Sequence, residues 1–149
     1  MSADRDGTHI SVTREWRGEN RWYLNQVHGY GAASGAEVVA EVRGYATKCT
    51  DYEQRYIDSK KIPDVGTTSV HYSDGRPVEI GPYPGIEATL GRCENARFED
   101  GSTIIECTAF LARGNLVSFV RVDGGSTLAE GAEHLTAVAA IAAAALAAG

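Results

Sequence analysis

The stretch from Ile86 to Val122 constrains the fold more than any other part of this chain. It reads as three β-strands in immediate succession, 86–98, 102–112 and 116–122, with almost nothing between them. Asp100-Gly101 is a strong hairpin signal, because both residues tolerate the positive φ of a tight turn. Gly114-Asn115 is a second tight turn, and Asp123-Gly124-Gly125 ends the run. Three strands joined so closely form an antiparallel meander, which must bury at least one face.

Register follows from turn length. With two-residue turns, Leu90 faces Leu111, Ala96 faces Ile105, Phe98 faces Thr103, Ala109 faces Val120 and Cys107 faces Val122. The result is one apolar face made of Leu90, Phe98, Ile105, Cys107, Ala109, Leu111, Val120 and Val122, which the helices are expected to cover. The opposite face is not cleanly polar, as a half-solvated sheet would be. There Phe110 faces Phe119 and Ala112 faces Val117. Its cover is a helix, a second chain or a further part of the protein; otherwise the aromatic pair simply supports the sheet.

Elsewhere the patterns are shorter. Residues 8–16 and 21–28 are rich in β-formers and flank the turn signal Arg17-Gly18-Glu19-Asn20, which predicts a hairpin. Ser34-Gly35-Ala36-Glu37 fits a capping box, and Val38, Val42, Tyr45 and Cys49 follow at helical spacing, predicting a helix over 35–49. Residues 50–66 are polar and mixed in charge, and Pro63 and Gly66 break any helix entering them. Residues 67–72 read as a strand, and 73–85, with two turn clusters, as a mobile or functional loop. Thr127-Leu128-Ala129-Glu130 is a second capping box before an Ala-rich helix reaching about Ala148. Alanine is the strongest helix former and lets a helix lie close to a sheet. The expected fold is α+β, an antiparallel sheet of about five to six strands with two main helices in the order β-β-α-β-β-β-β-α. It is expected as one domain over 1–149, with 1–7 flexible.

A net charge of −6 argues against a nucleic-acid backbone or an anionic membrane surface as partner, since both require clustered Lys and Arg. The apolar run 138–148 is too short to span a bilayer and reads as a packed helix. The start, Met1 to Gly7, lacks the basic and apolar regions of a signal peptide. The chain is therefore expected to be either cytosolic or extracytoplasmic with its leader absent.

The cysteines bear on that choice. There is no CxxC among Cys49, Cys93 and Cys107. With the two-residue turns, Cys107 points at the helix-covered face, Cys93 points away, and Cys49 ends the apolar stripe of the first helix. A Cys49–Cys107 disulfide would tie helix to sheet. A three-residue loop at 99–101 would instead set Cys93 opposite Cys107. The first pairing is preferred, because its register aligns the apolar residues. Three reduced thiols in the core are the remaining alternative. Either disulfide implies an oxidising compartment.

The run Ala40-Glu41-Val42-Arg43-Gly44-Tyr45-Ala46-Thr47-Lys48-Cys49 resembles the helix ending in Cys of actinobacterial secreted sensor-like domains. So does the later run from Cys107 through Arg113-Gly114-Asn115-Leu116-Val117 to Gly124-Gly125 and the Ala-rich final helix. These domains are related to the extracellular sensor domain of mycobacterial receptor kinases and to similar lipoproteins. The resemblance extends over residues 9–148. It implies an extracytoplasmic α+β domain, a helix-to-strand disulfide, and sensing of a ligand or partner instead of catalysis. Members of that group are usually longer, with a preceding segment packed on this part, and Cys93 has no obvious mate in their pattern.

No reactive cluster stands out. His9, His28, His71 and His134 show no metal-ligand spacing, the acidic residues of 51–79 do not match a calcium loop, and no phosphate-binding glycine motif is present. No cofactor or metal is expected. The candidate contacts for a small apolar ligand or a protein partner are Tyr52, Tyr56, Tyr72 and Tyr83, which offer large area at low entropy cost, together with Phe110 and Phe119. Two alternatives stand beside this reading. One is a small cavity-type enzyme with His71 or Asp74 at a pocket mouth. The other is an oligomerisation or inhibitor protein, for example a homodimer, using the outer sheet face.

Overall fold

The computed structural model describes residues 10–57 and 67–149. The expected flexible start, 1–7, lies outside the described residues, as does His9. In chain order the elements are β1 (Ile10–Arg17), β2 (Trp22–Gly29), α1 (Gly35–Ala46), β3 (Tyr52–Ile57), β4 (Thr67–Val78), β5 (Ala88–Phe98), β6 (Thr103–Arg113), β7 (Leu116–Asp123) and α2 (Leu128–Ala148). They make an α+β fold with one seven-stranded sheet, ordered β1-β2-β7-β6-β5-β4-β3, in which all neighbours are antiparallel.

Two segments differ from their sequence reading. Tyr52–Ile57, read as irregular, is a strand paired with β4, at the edge of the sheet among the described residues. Its alternation of Tyr and Gln with charged residues suits a half-solvated edge better than the hydrophobic pattern suggested. Residues 73–78, read as loop, continue β4 through a bulge. Asp74 there takes φ 55, and the register shifts between Ser73 and Arg76. The turn signal Ser-Asp-Gly is thus spent inside a strand, where a bulge needs the same left-handed freedom.

The largest correction concerns register. The β6–β7 pairing matches expectation, with Phe110 facing Phe119 and Ala112 facing Val117. Between β5 and β6, however, Cys93 faces Cys107 and Leu90 faces Phe110. The Asp100-Gly101 turn holds three residues, not two. Phe98 N–H donates to Ser102 O at 2.9 Å, Gly101 N–H donates to Phe98 O at 3.0 Å, and Gly101 takes φ 84. The Asp100 carboxylate holds the turn by accepting from the Ser102 amide and hydroxyl. A slip of one residue moves a whole strand's side chains to the other face. Leu90 and Phe98 therefore leave the predicted apolar face, and Cys93 joins it.

The disulfide accordingly runs Cys93–Cys107, and Cys49 is a free, half-buried thiol. The preferred Cys49–Cys107 pairing is overturned. Cys107 lies in the core beneath α2, while Cys49 follows α1, on the other side of the sheet.

The two helices cover opposite faces. α2 lays Leu135, Ala139, Ala142, Ala143 and Leu146 on Cys93, Ile105, Cys107, Ala109, Leu111, Val120 and Val122. Its length and composition would suffice to cross a membrane, yet here its apolar side packs on the sheet. α2 approaches closely because Gly131 has no side chain; a Cβ there would sit 2.7 Å from Cys107 Sγ. α1 lays Val38, Val39 and Val42 over Leu90, Ala112 and Val117 on the other face, with Phe110 packed alongside. The outer apolar patch therefore has a cover within the chain. Ser34 caps α1 with the full capping box. At α2 only half the box forms: Thr127 accepts from the Glu130 amide, and the Glu130 carboxylate turns to Ser126 and Arg21.

Candidate ligand-binding site

α1 covers one end of its face, and a tyrosine-rich cluster of Val70, Tyr72, Ala96, Tyr52, Phe98 and Ile104 fills the other. Between them the sheet carries cross-strand rows set by register. Leu90, Phe110, Phe119 and Gln26 form one row. Arg92, Thr108, Arg121 and Leu24 form the next. Glu94, Glu106 and Asp123 form a third, three carboxylates side by side on adjacent strands. A cavity of about 270 Å³ opens above these rows, walled further by Val42 and Ala46 of α1 and by Tyr52 and Gln54 of β3. One end is apolar and aromatic, the other polar and charged. The two rings of the aromatic end meet tilted at 51°, 5.1 Å between centroids.

The polar end is buried: Arg92, Glu94 and Glu106 are 8%, 6% and 7% exposed. Each charge is tied to specific partners. Arg92 Nη1 donates to Ala46 O at 2.6 Å and Nη2 donates to Cys49 O, so its guanidinium caps the C-terminal end of α1. The β4 bulge makes room for it, since a Cβ on Gly75 would lie 2.0 Å from Arg92 Nη2. Arg121 grips Asp123 with two bonds of 2.8 Å through Nε and Nη2, lies over the Trp22 ring, and reaches Glu106 Oε2 at 2.9 Å. Tyr52 O–H donates to Glu94 Oε1 at 2.7 Å, and Tyr72 O–H donates to Glu106 Oε2 at 3.2 Å. The two tyrosine rings stack 4.9 Å apart. Glu94 Oε2 lies 3.1 Å from Arg92 Nη2 as an ion pair, but no donor is aligned on it for a hydrogen bond.

These surroundings set the proton affinities. Burial pushes the Glu106 carboxyl up to about 7; Arg121 opposes the shift, and the charges of Asp123 and Glu94 add to it. Burial, then the bond and charge of Glu94, push the Tyr52 phenol above its ordinary value, so it remains a donor. For Arg121, burial works against the charged form, but the Asp123 and Glu106 carboxylates outweigh it and the pKa rises.

The candidate residues distribute unevenly. Tyr52, Phe110 and Phe119 line the cavity, and Tyr72 lies behind it on Glu106. Tyr83 packs against the α2 core on the other side of the sheet. Tyr56 belongs to β3, with its side chain outside the described residues. His71 and Asp74 do not line the cavity: His71 pairs with Asp51 at 3.4 Å on the surface, and Asp74 sits in the bulge, accepting from Asn95. Sequence reasoning missed Arg92, Glu94, Glu106 and Arg121. The available signal was charge at alternate positions inside otherwise apolar strands, as in Ile104-Ile105-Glu106-Cys107. The two-residue turn hid it, because that register puts Glu94 opposite Cys107 and separates the carboxylates.

Among the described residues no group of three or more His, Cys, Asp or Glu side chains could hold a metal ion. No protein-family model and no curated protein matches the chain. Among solved structures it is similar to the extracellular domain of PknH from Mycobacterium tuberculosis, at 16% identity and a TM-score of 0.47. The match covers 87% of this chain and 60% of that one.

Proposed function

We propose that this chain is a non-enzymatic, extracytoplasmic binding domain that senses a small molecule in the cavity between α1 and the sheet. The observation that carries this reading is the cavity itself: about 270 Å³, apolar and aromatic at one end, with fixed charged groups at the other. Ligand sites combine an apolar lining with a few oriented polar groups in this way. The static pairing of its charges suits recognition, since each guanidinium and phenol is held by a named partner. The Cys93–Cys107 disulfide supports an oxidising compartment, where such bonds persist.

Phenethylamine, 2-phenylethanol and 3-phenylpropanoate, three aromatic probes differing in charge, test the reading. Binding is followed through the NMR methyl signals of Leu24, Val42 and Leu90. At least one probe is expected to shift them saturably, and Ala46→Trp, which fills the cavity from α1, is expected to abolish the shift. Thr108→Met fills it from the sheet and serves if the Trp variant does not fold. If none of the three probes moves these methyls, the reading fails.

One observation favours a second reading. Glu94 faces Glu106, and two carboxylates in unlike environments can divide acid and base roles. Turnover of a bound compound that Glu106→Gln abolishes, without loss of binding, would establish catalysis in place of sensing.

A further inference from the structure

Resting on the binding reading, we infer that the cavity selects an organic cation: an ammonium or guanidinium group seated on the facing Glu94 and Glu106, carried on an apolar body that lies against Phe110, Phe119 and Leu24.

The inference follows from how the buried charges are spent. The polar end holds two guanidinium groups, Arg92 and Arg121, against three carboxylates, Glu94, Glu106 and Asp123. Each cation pairs with one carboxylate of the facing pair, Arg92 with Glu94 and Arg121 with Glu106, and is also held by a second partner. Arg92 donates to the carbonyls of Ala46 and Cys49, at the end of α1 where the helix dipole is negative. Arg121 gives its fork to Asp123 and reaches Glu106 at the side. Glu94 Oε2 is left buried with an ion-pair neighbour but no aligned donor. Like charges directly opposite each other on adjacent strands destabilise a sheet, and buried carboxylates need paired charge and hydrogen bonds. An entering ammonium supplies both: a positive charge for the carboxylate pair and N–H donors for the free lone pairs. With Glu106 ionised, an anion would meet excess negative charge, and a neutral alcohol would supply a donor without charge.

The apolar end fixes the rest of the ligand. Leu90, Phe110 and Phe119 lie one row beyond Arg92 and Thr108, on the α1 side of the carboxylate row. A cationic head at the carboxylates therefore places its body along the aromatic wall, whose ring faces also attract cations.

Proton linkage adds a signature. The groups facing Glu106 are Glu94 and Arg92 from β5, Arg121 and Asp123 from β7, Tyr72 from β4 and Tyr52 from β3. Burial holds the Glu106 carboxyl near neutrality, so a cation that prefers the ionised form drives a proton off it.

Calorimetry on the whole chain with the same three probes decides the matter. Phenethylamine is expected to bind at least about tenfold more tightly than 2-phenylethanol, the difference a charged hydrogen-bonded pair contributes, and 3-phenylpropanoate is expected to bind weakest. Phenethylamine affinity is expected to fall as pH drops below 7, with protons released at pH 7 in buffers of different ionisation heat. Glu106→Gln is expected to remove the proton release, and Glu94→Gln to narrow the gap between amine and alcohol. If the alcohol or the anion binds as tightly as the amine, the cation preference is wrong while the binding reading stands. If the amine is preferred but Glu106→Gln and Glu94→Gln leave that preference intact, the cation sits elsewhere and the inference fails. If none of the probes binds, both readings fail.

Discussion

Replacing Glu106 by Gln tests whether a buried carboxyl at the floor of the cavity controls the pH dependence of stability. In the folded chain burial raises this carboxyl from 4.5 to about 7. Each unit of difference between folded and unfolded states corresponds to about 1.4 kcal/mol. The whole shift therefore amounts to about 3 kcal/mol. The sign follows from proton counting. Between pH 4.5 and 7 the folded protein holds a proton on Glu106 that the unfolded chain has lost, so stability declines as pH rises through that window. The contribution is fully present below about pH 4.5 and gone above about pH 7. Glutamine keeps the size and an acceptor for Tyr72 but cannot ionise. Urea unfolding of both proteins at intervals from pH 4.5 to 8 supplies the measurement. The stability of Glu106→Gln minus that of the wild type should climb by about 3 kcal/mol across the range. Carboxylates remote from Glu106 cancel in this difference, among them Glu130 and Asp100, whose pKa values are lowered by their bonds to Ser126 and Ser102. A flat difference, or one that falls with pH, would refute the assignment of a raised carboxyl to this position.

Further outcomes are expected at the cysteines, at two helix glycines and at Arg92. The Cys93–Cys107 bond closes a loop with a sequence separation of 14; replacing both by Ala should cost about 3 kcal/mol and lower Tm by roughly 10 °C. In the intact protein only Cys49 should take up a thiol label under denaturing, non-reducing conditions, and labelling at residue 93 or 107 would contradict the pairing. Two helix glycines should respond with opposite sign to Ala. Gly44 has nothing within 4 Å of an added Cβ, so Gly44→Ala should gain about 0.5–1 kcal/mol. Gly131→Ala drives a methyl to 2.7 Å from Cys107 Sγ and 2.8 Å from Ile105 Cγ2, and crowding of about 1–3 kcal/mol should exceed the helix gain; denaturant midpoints of the two variants compare them. Arg92→Met strips the carbonyls of Ala46, the last residue of α1, and of Cys49 of their donor and leaves Glu94 without its buried countercharge, which should cost about 3–5 kcal/mol in chemical denaturation. Adding Glu94→Gln should recover part of that loss, and no recovery would mean that Arg92 acts through the helix end alone.

Much of the architecture was legible because it depends on local preference. The capping box at Ser34 forms as the residues predict, since its bonds span only three residues. The strands of the meander lie within a few residues of their predicted positions, and the Gly114-Asn115 turn sets the β6–β7 register as read. The Tyr52–Ile57 strand and the bulge in β4 were not legible, because an edge strand needs only half a hydrophobic pattern and a bulge uses the same residues as a turn. Tyr52, Phe110 and Phe119 could be picked out as large side chains with no evident burial partner. Nothing local linked them to Arg92, Glu94, Glu106 or Arg121.

Sequence alone determined the α+β class, the meander with its two turns, both helices and the presence of an aromatic pair on the second face. Tertiary structure decided which cysteines are joined, which face each helix covers and which charges meet in the cavity. The physical reason is a single hydrogen-bonded turn. Whether Glu99 to Gly101 closes with two residues or three is settled by small energies within the turn together with packing on both sides of the sheet. Because side chains alternate every residue along a strand, that one step chooses the partner of Cys93 and brings Glu94 face to face with Glu106.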